Sequence, residues 1–234
     1  MALKINRKKI SINTKRKLIT LSNPRSPISE QYRTIRTNVQ FSSIDQEVKS
    51  LMITSSGPGE GKSTTVANMG VVFAQQGKKV LLVDADLRKP TVHYTFNLTN
   101  TFGLTSVLTK QTTLEKVVCE TNEKNLFILP SGPIPPNPAE LLGSKAMDAF
   151  FEEAIESFDL VLFDTPPVLA VTDAQILANR CDGTILVVSS GKTEIDHSTK
   201  SKELLISANA KILGVVLNNK KMKESNQYYY YGAK

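Results

Sequence analysis

Long apolar runs are missing from this 234-residue chain. The longest, such as Leu51–Ile53 and Val80–Val83, are strand-sized, far short of the roughly 18 to 20 apolar residues a membrane-spanning helix needs. No bilayer-crossing segment is expected. The N-terminus is basic, but no apolar stretch of about 7 to 15 residues follows, so no secretory leader is expected either. Cysteine is scarce: Cys119 and Cys181 stand far apart, outside any C-x-x-C or Cys/His ligand spacing. That argues against a disulfide framework or a zinc site and fits a reducing cytosol. The two histidines, His93 and His197, are isolated and carry no assigned function. Acid is lacking before Glu30, whereas Lys4, Arg7, Lys8, Lys9, Lys15, Arg16 and Lys17 supply seven cations. Taking those seven from the 29 basic residues leaves 22 against 22 acidic ones, so the net charge of +7 resides in the arm. Such an arm is either solvated or meets an anionic membrane surface, an acidic partner or nucleic acid. No interleaved aromatic and basic surface is visible, so direct nucleic-acid binding is not expected.

What is present is enough for one substantial core: 40% of residues are hydrophobic, and the length is at the upper end for one domain. Apolar runs at 51–54, 80–84, 126–129, 159–164, 184–188 and 212–217 alternate with helix-compatible stretches, the pattern of an α/β fold with a parallel sheet flanked by helices. Gly77 and Gly183 punctuate connections, and Pro133–Pro138 marks a loop before a helix near Ala139. Ser26 and Pro27 read as the N-cap and first position of a helix of about four turns, with Ile28, Tyr32, Ile35 and Val39 at helical spacing. The expected organisation is a basic arm over 1–23, a single domain over 24–219, and a loose tail over 220–234.

Gly57-Pro58-Gly59-Glu60-Gly61-Lys62-Ser63-Thr64 follows the strand at 51–54 and opens a helix near Lys62. This is the order a phosphate-binding loop requires, although Ser56 stands where the strict pattern has glycine. Glycines let backbone N–H groups approach phosphate oxygens, the helix N-terminus adds partial positive charge, Lys62 bridges the terminal phosphates and Ser63 ligates Mg²⁺. Two further strands end in acid: Val80–Val83 leads to Asp84, Asp86 and Arg88, and Leu160–Phe163 leads to Asp164. Strand C-termini are where open α/β sheets bind ligands. Three carboxylates converging there imply a cation between them, with Mg²⁺ the default.

The tail carries four of the chain's six tyrosines in one run, Tyr228, Tyr229, Tyr230 and Tyr231. A buried strand would point alternate ones outward, and this run has no apolar continuation. The phosphate loop, the Asp84-x-Asp86-x-Arg88 motif, the acidic strand ending at Asp164 and this tyrosine cluster together resemble the bacterial tyrosine kinases of capsule and exopolysaccharide operons, which have a P-loop NTPase fold. The resemblance spans roughly residues 24 to 234. It implies an ATP- and Mg²⁺-dependent autokinase that phosphorylates Tyr228, Tyr229, Tyr230 and Tyr231 at its own C-terminus, and other proteins. Glu30-x-x-Arg33-x-x-Arg36 matches the family element that joins subunits into a ring, and on a helix these side chains fall within about 120° of one another. An intrahelical ion-pair role remains the alternative. Asn218 and Asn219 resemble the position from which related proteins read adenine. The resemblance also implies a separate membrane activator, a phosphotyrosine phosphatase, and a cytoplasmic enzyme recruited to the inner membrane face.

In this reading Lys62 holds the γ-phosphate, and Ser63, Asp84, Asp86 and Asp164 are candidate Mg²⁺ ligands. Asp84 is the candidate proton acceptor, and Arg88 holds either a phosphate or a carboxylate. The rival class is an ATPase switch of the partitioning type. Its additional lysine near the loop start is replaced here by Gly57, and its amphipathic basic ending by tyrosines.

Overall fold

The computed structural model describes residues 18–42 and 47–221. The basic arm through Lys17 lies outside them, and so do all four expected phosphate acceptors, Tyr228, Tyr229, Tyr230 and Tyr231. Seven strands form one sheet: β1 (Ser50–Ser55), β2 (Val80–Asp84), β3 (Cys119–Glu120), β4 (Leu126–Leu129), β5 (Leu160–Asp164), β6 (Gly183–Ser189) and β7 (Ile212–Asn218). Their order across the sheet is β3-β4-β2-β5-β1-β6-β7. Every pairing is parallel except β3 with β4. The two-residue β3 departs from the all-parallel expectation; it is too short to show a periodicity, and it covers one edge of the sheet.

The helices are α1 (Ile19–Ser22), α2 (Pro27–Phe41), α3 (Lys62–Ala74), α4 (Val92–Phe96), α5 (Leu104–Leu108), α6 (Leu114–Val117), α7 (Pro138–Leu142), α8 (Lys145–Ser157), α9 (Asp173–Ala178) and α10 (Ile195–Ser207). They cover both faces. Because side chains alternate along a strand, Leu51 and Ile53 of β1 join Val66 and Met69 of α3 on one face. Met52 joins Phe150 of α8 and Leu177 of α9 on the other. Burial on both faces is why these strands read as unbroken apolar runs.

Helix α2 begins as its sequence dictates. The Ser26 hydroxyl accepts the Ser29 N–H at 3.1 Å and Pro27 occupies the first turn, a cap whose loss costs about 1 kcal/mol. The expected apolar stripe starts one turn late. Ile28 is exposed, whereas Ser29 is fully buried and donates to the Asn23 carbonyl at 2.8 Å, so the first turn packs through polar contacts. Tyr32, Ile35 and Val39 meet the core as expected.

The folded body also extends further back than residue 24. Leu18 is buried, and the wholly buried Thr20 donates its N–H and its hydroxyl to Asn68 Oδ1 of α3, at 3.1 and 2.8 Å.

Candidate active site

Strand β1 delivers the chain into a glycine turn that ends on the N-terminus of α3. Gly59 and Gly61 take positive φ, and a Cβ at Gly61 would stand 2.0 Å from Asn218 Nδ2. Glycine is therefore required at 61 by both backbone conformation and space. A turn of this kind on a 13-residue helix is a ready anion site.

The sheet register brings acid to it. Asp164 on β5 stands opposite Ile53 of β1 on one side and Asp84 of β2 on the other. Thr165 locks the exit, its hydroxyl donating to the Ile53 carbonyl at 3.1 Å, while the Thr54 hydroxyl donates to the Pro166 carbonyl at 2.9 Å.

Lys62 lies at the centre. Its Nζ is 3.0 Å from Asp86 Oδ2, 3.4 Å from Asp164 Oδ1 and 3.2 Å from Ser63 Oγ. The cation between these two carboxylates is thus the lysine ammonium itself. Burial pulls the Lys62 ammonium down, but the charges of Asp164 and Asp86 outweigh it and hold its pKa above the ordinary value. Burial drives the Asp164 carboxyl up, against the pull of Lys62 and Ser63. Asp84 is pushed up to about 8, by burial first and by Asp164 next.

Asp84 was expected to accept the phenol proton. It is fully buried, and its Oδ2 accepts the N–H groups of Thr91 and Val92 at 3.0 and 2.9 Å. Asp86 accepts the Lys89 N–H at 3.0 Å through Oδ1 and presents Oδ2 to Lys62. Asp84 Oδ1 and Asp164 Oδ2 are buried without a partner, an arrangement that a divalent cation would relieve. Among the described residues no three acidic, histidine or cysteine side chains form a complete cage. This donor set fits Mg²⁺, which takes one or two carboxylates and completes its octahedron with phosphate and water.

Other expected residues have partners within the chain. Arg88 holds a carboxylate, but not one of its own motif: its Nε and Nη2 each donate to Asp173 at 2.9 Å. Asn218 Nδ2 donates to the Glu60 carbonyl at 2.9 Å, and Asn219 Nδ2 to Ser189 Oγ at 3.0 Å, so both amides brace the site's rim. Gly57, Pro58 and Thr64 lie in the loop and first helical turn, and the Thr64 carbonyl accepts from Asn68 Nδ2 at 2.8 Å. On α2, Arg33 pairs with Glu30 and reaches the Pro24 carbonyl at 2.8 Å, while Arg36 Nη1 donates to the Val72 carbonyl of α3 at 2.8 Å. Arg36 is thus anchored within its own chain.

Asp173, Lys192 and Thr193 join the site without belonging to any of its sequence motifs. Lys192 and Thr193 follow the end of β6, at the same sheet edge as the aspartates, and that placement was the available signal. Asp173 is the first residue of a short helix and carries no local mark.

A parallel sheet with a phosphate loop after a central strand, and an acidic strand end beside it, defines a P-loop nucleotide-binding protein. Comparison with known proteins refines this. The AAA domain family matches residues 48–221. Tyrosine-protein kinase YwqD of Bacillus subtilis (strain 168) is 58% identical over all of this chain and 98% of its own. The putative tyrosine-protein kinase CapB of Staphylococcus aureus is 44% identical over 89% of this chain and 92% of its own. Among solved structures, the chimerical protein CapA2B2 superposes with a TM-score of 0.85 at 45% identity, covering 88% of this chain and 90% of that one. The chain belongs to the bacterial tyrosine-protein kinase family.

Proposed function

We propose that this kinase transfers the terminal phosphoryl group of Mg-ATP to Tyr228, Tyr229, Tyr230 and Tyr231 of a neighbouring copy in a ring, and to other proteins. In this reading it regulates capsule or exopolysaccharide production. A separate membrane protein activates it at the inner face of the membrane, and a phosphotyrosine phosphatase reverses the modification. The observation that carries the proposal is the placement of Lys62 between Asp86 and Asp164 at the mouth of the glycine loop.

Phosphoryl transfer depends on positioning and charge stabilisation more than on covalent chemistry from the protein. Bound Mg-ATP supplies the phosphoryl group and a divalent charge to neutralise its oxygens. Lys62 exchanges a carboxylate partner for a phosphate oxygen. Ser63 and Asp164, with the unpartnered Oδ1 of Asp84, would hold the metal directly or through water. Asp86 accepts the phenol proton, a task its more open carboxylate suits better than that of Asp84. Asn218 and Asn219 frame the base. Tyr230 is eleven positions beyond Asn219, a span of at most about 36 to 40 Å, which supports delivery of the tail to a second subunit. Glu30 and Arg33, on the outward side of α2, supply the contact between subunits, with Arg36 fixing that helix to α3.

Tandem mass spectrometry after incubation with Mg-ATP tests the reading: phosphate is expected on Tyr228–Tyr231 of the wild type and not of Lys62→Met. Mixing Lys62→Met with a chain whose four tail tyrosines are phenylalanine tests transfer between copies. Phosphate should appear on the Lys62→Met tail, and its absence would rule out transfer in trans. If the activator's cytoplasmic segment were added and ATP was hydrolysed without phosphotyrosine, the ATPase-switch reading would replace this one.

A further inference from the structure

The loop between β6 and α10 grips the phosphate loop from behind. Lys192 Nζ donates to the Pro58 carbonyl at 3.0 Å and to the Gly59 carbonyl at 3.3 Å. The Thr193 hydroxyl donates to Glu60 Oε1 at 2.7 Å and accepts the Ser189 N–H at 2.8 Å, which ties it to the end of β6. Glu60, almost fully buried, uses its other oxygen to accept the Ser56 N–H at 2.9 Å, spanning the base of the turn.

We infer that Lys192 and Thr193 are positioning residues for nucleotide binding: they hold the phosphate loop in its anion-binding shape and strengthen its N–H donors. The chemistry is specific to the peptide units involved. The two carbonyls that Lys192 holds belong to the peptides whose N–H groups come from Gly59 and Glu60. A cation on a carbonyl oxygen polarises the whole peptide, and its N–H becomes a better donor to phosphate. The ammonium also adds positive charge beside an anion site. Thr193 acts through Glu60. The inference rests on the nucleotide site proposed above.

Titration of the full chain with Mg-ADP, read by calorimetry, tests it without involving any tyrosine. Lys192→Met should weaken binding about tenfold and Thr193→Val about threefold, the size of a lost charge-assisted or ordinary hydrogen bond. Lys192→Arg and Thr193→Ser should recover to within about twofold, because each restores the donor. Melting temperatures without nucleotide should stay within about 2 °C for Lys192→Met, since Lys192 is an exposed side chain. Equal affinities for Lys192→Met and wild type, or a loss that Lys192→Arg shares in full, would overturn the inference. A wild type that bound no Mg-ADP would instead overturn the nucleotide site on which it rests. Tail phosphorylation does not enter the measurement, so failure of the tyrosine-transfer reading leaves this test intact.

Discussion

Arg88 and Asp173 form a bidentate pair in which both nitrogen-to-oxygen distances are 2.9 Å. The partners differ in exposure: the Arg88 side chain is 39% accessible, and that of Asp173 is fully buried. The hydrogen bonds to Asp173 hold the Arg88 pKa above its ordinary value. The pair ties the acidic segment after β2 to the start of α9, two elements separated by 85 positions in the chain.

That asymmetry predicts unequal damage from the two halves of the pair. Arg88→Met leaves a carboxylate buried without a partner and should cost about 3 to 5 kcal/mol, whereas Asp173→Asn frees an arginine that can turn to water and should cost about 1 to 2 kcal/mol. Urea unfolding of the two variants reads the difference. Equal losses in both variants would contradict the burial argument.

Lys62→Met removes the cation that two carboxylates share. Phosphoryl transfer should fall at least about 100-fold, the scale of losing a group that stabilises developing charge. The variant should remain folded, because burial already favours the neutral form of the Asp164 carboxyl once the ammonium is gone. Circular dichroism alongside a single-turnover transfer assay separates the two effects.

At Gly61 a methyl group would meet Asn218 Nδ2 at 2.0 Å, and the backbone there has φ +100°. Gly61→Ala should therefore displace Asn218 from the Glu60 carbonyl and destabilise the fold by about 1 to 3 kcal/mol. Gly77 also has positive φ but no atom within 4 Å of the added carbon, so Gly77→Ala should cost only the backbone strain, about 1 kcal/mol. Nucleotide affinity should drop in the first variant and hold in the second, as fluorescence titration with a labelled nucleotide would show.

His93, on α4, is buried and its pKa lies below the ordinary 6.5 for that reason. The unfolded chain binds this proton more readily than the folded one. His93 should therefore cost the fold nothing above pH 6.5 and subtract stability as pH falls below that value. His93→Gln should flatten the decline in urea midpoint between about pH 7 and pH 5. A wild type and variant with parallel pH profiles would remove His93 as the source.

In the ring proposed above, each tail phosphate would add about −1.5 to −2 charge at pH 7, so that several would repel one another. Sedimentation should give a smaller assembly for the phosphorylated protein than for the unphosphorylated one. The same size for both would end this expectation.

By itself the sequence determined the class of the fold and the chemistry of its centre. Strand-sized apolar runs buried on both faces cannot be anything but unbroken, and a glycine turn before a lysine and serine can be read because its spacing is local to the chain. Asp84 and Asp164 were legible for the same reason, since each closes an apolar run, and Asp86 follows two positions after the first. Their surroundings were decided by tertiary structure. Burial and two backbone N–H groups withdraw Asp84 from the opening, and only the register of β2 against β5 puts it beside Asp164. Arg88 pairs with Asp173, and Lys192 with Pro58 and Gly59, across 85, 134 and 133 positions. Helical or strand periodicity carries no information over such separations, because it reports which face of an element is buried and not which element will cover it. The docking of Leu18 and Thr20 follows from the same limit: the hydrogen bonds from Thr20 to Asn68 exist only after α1 has docked on α3.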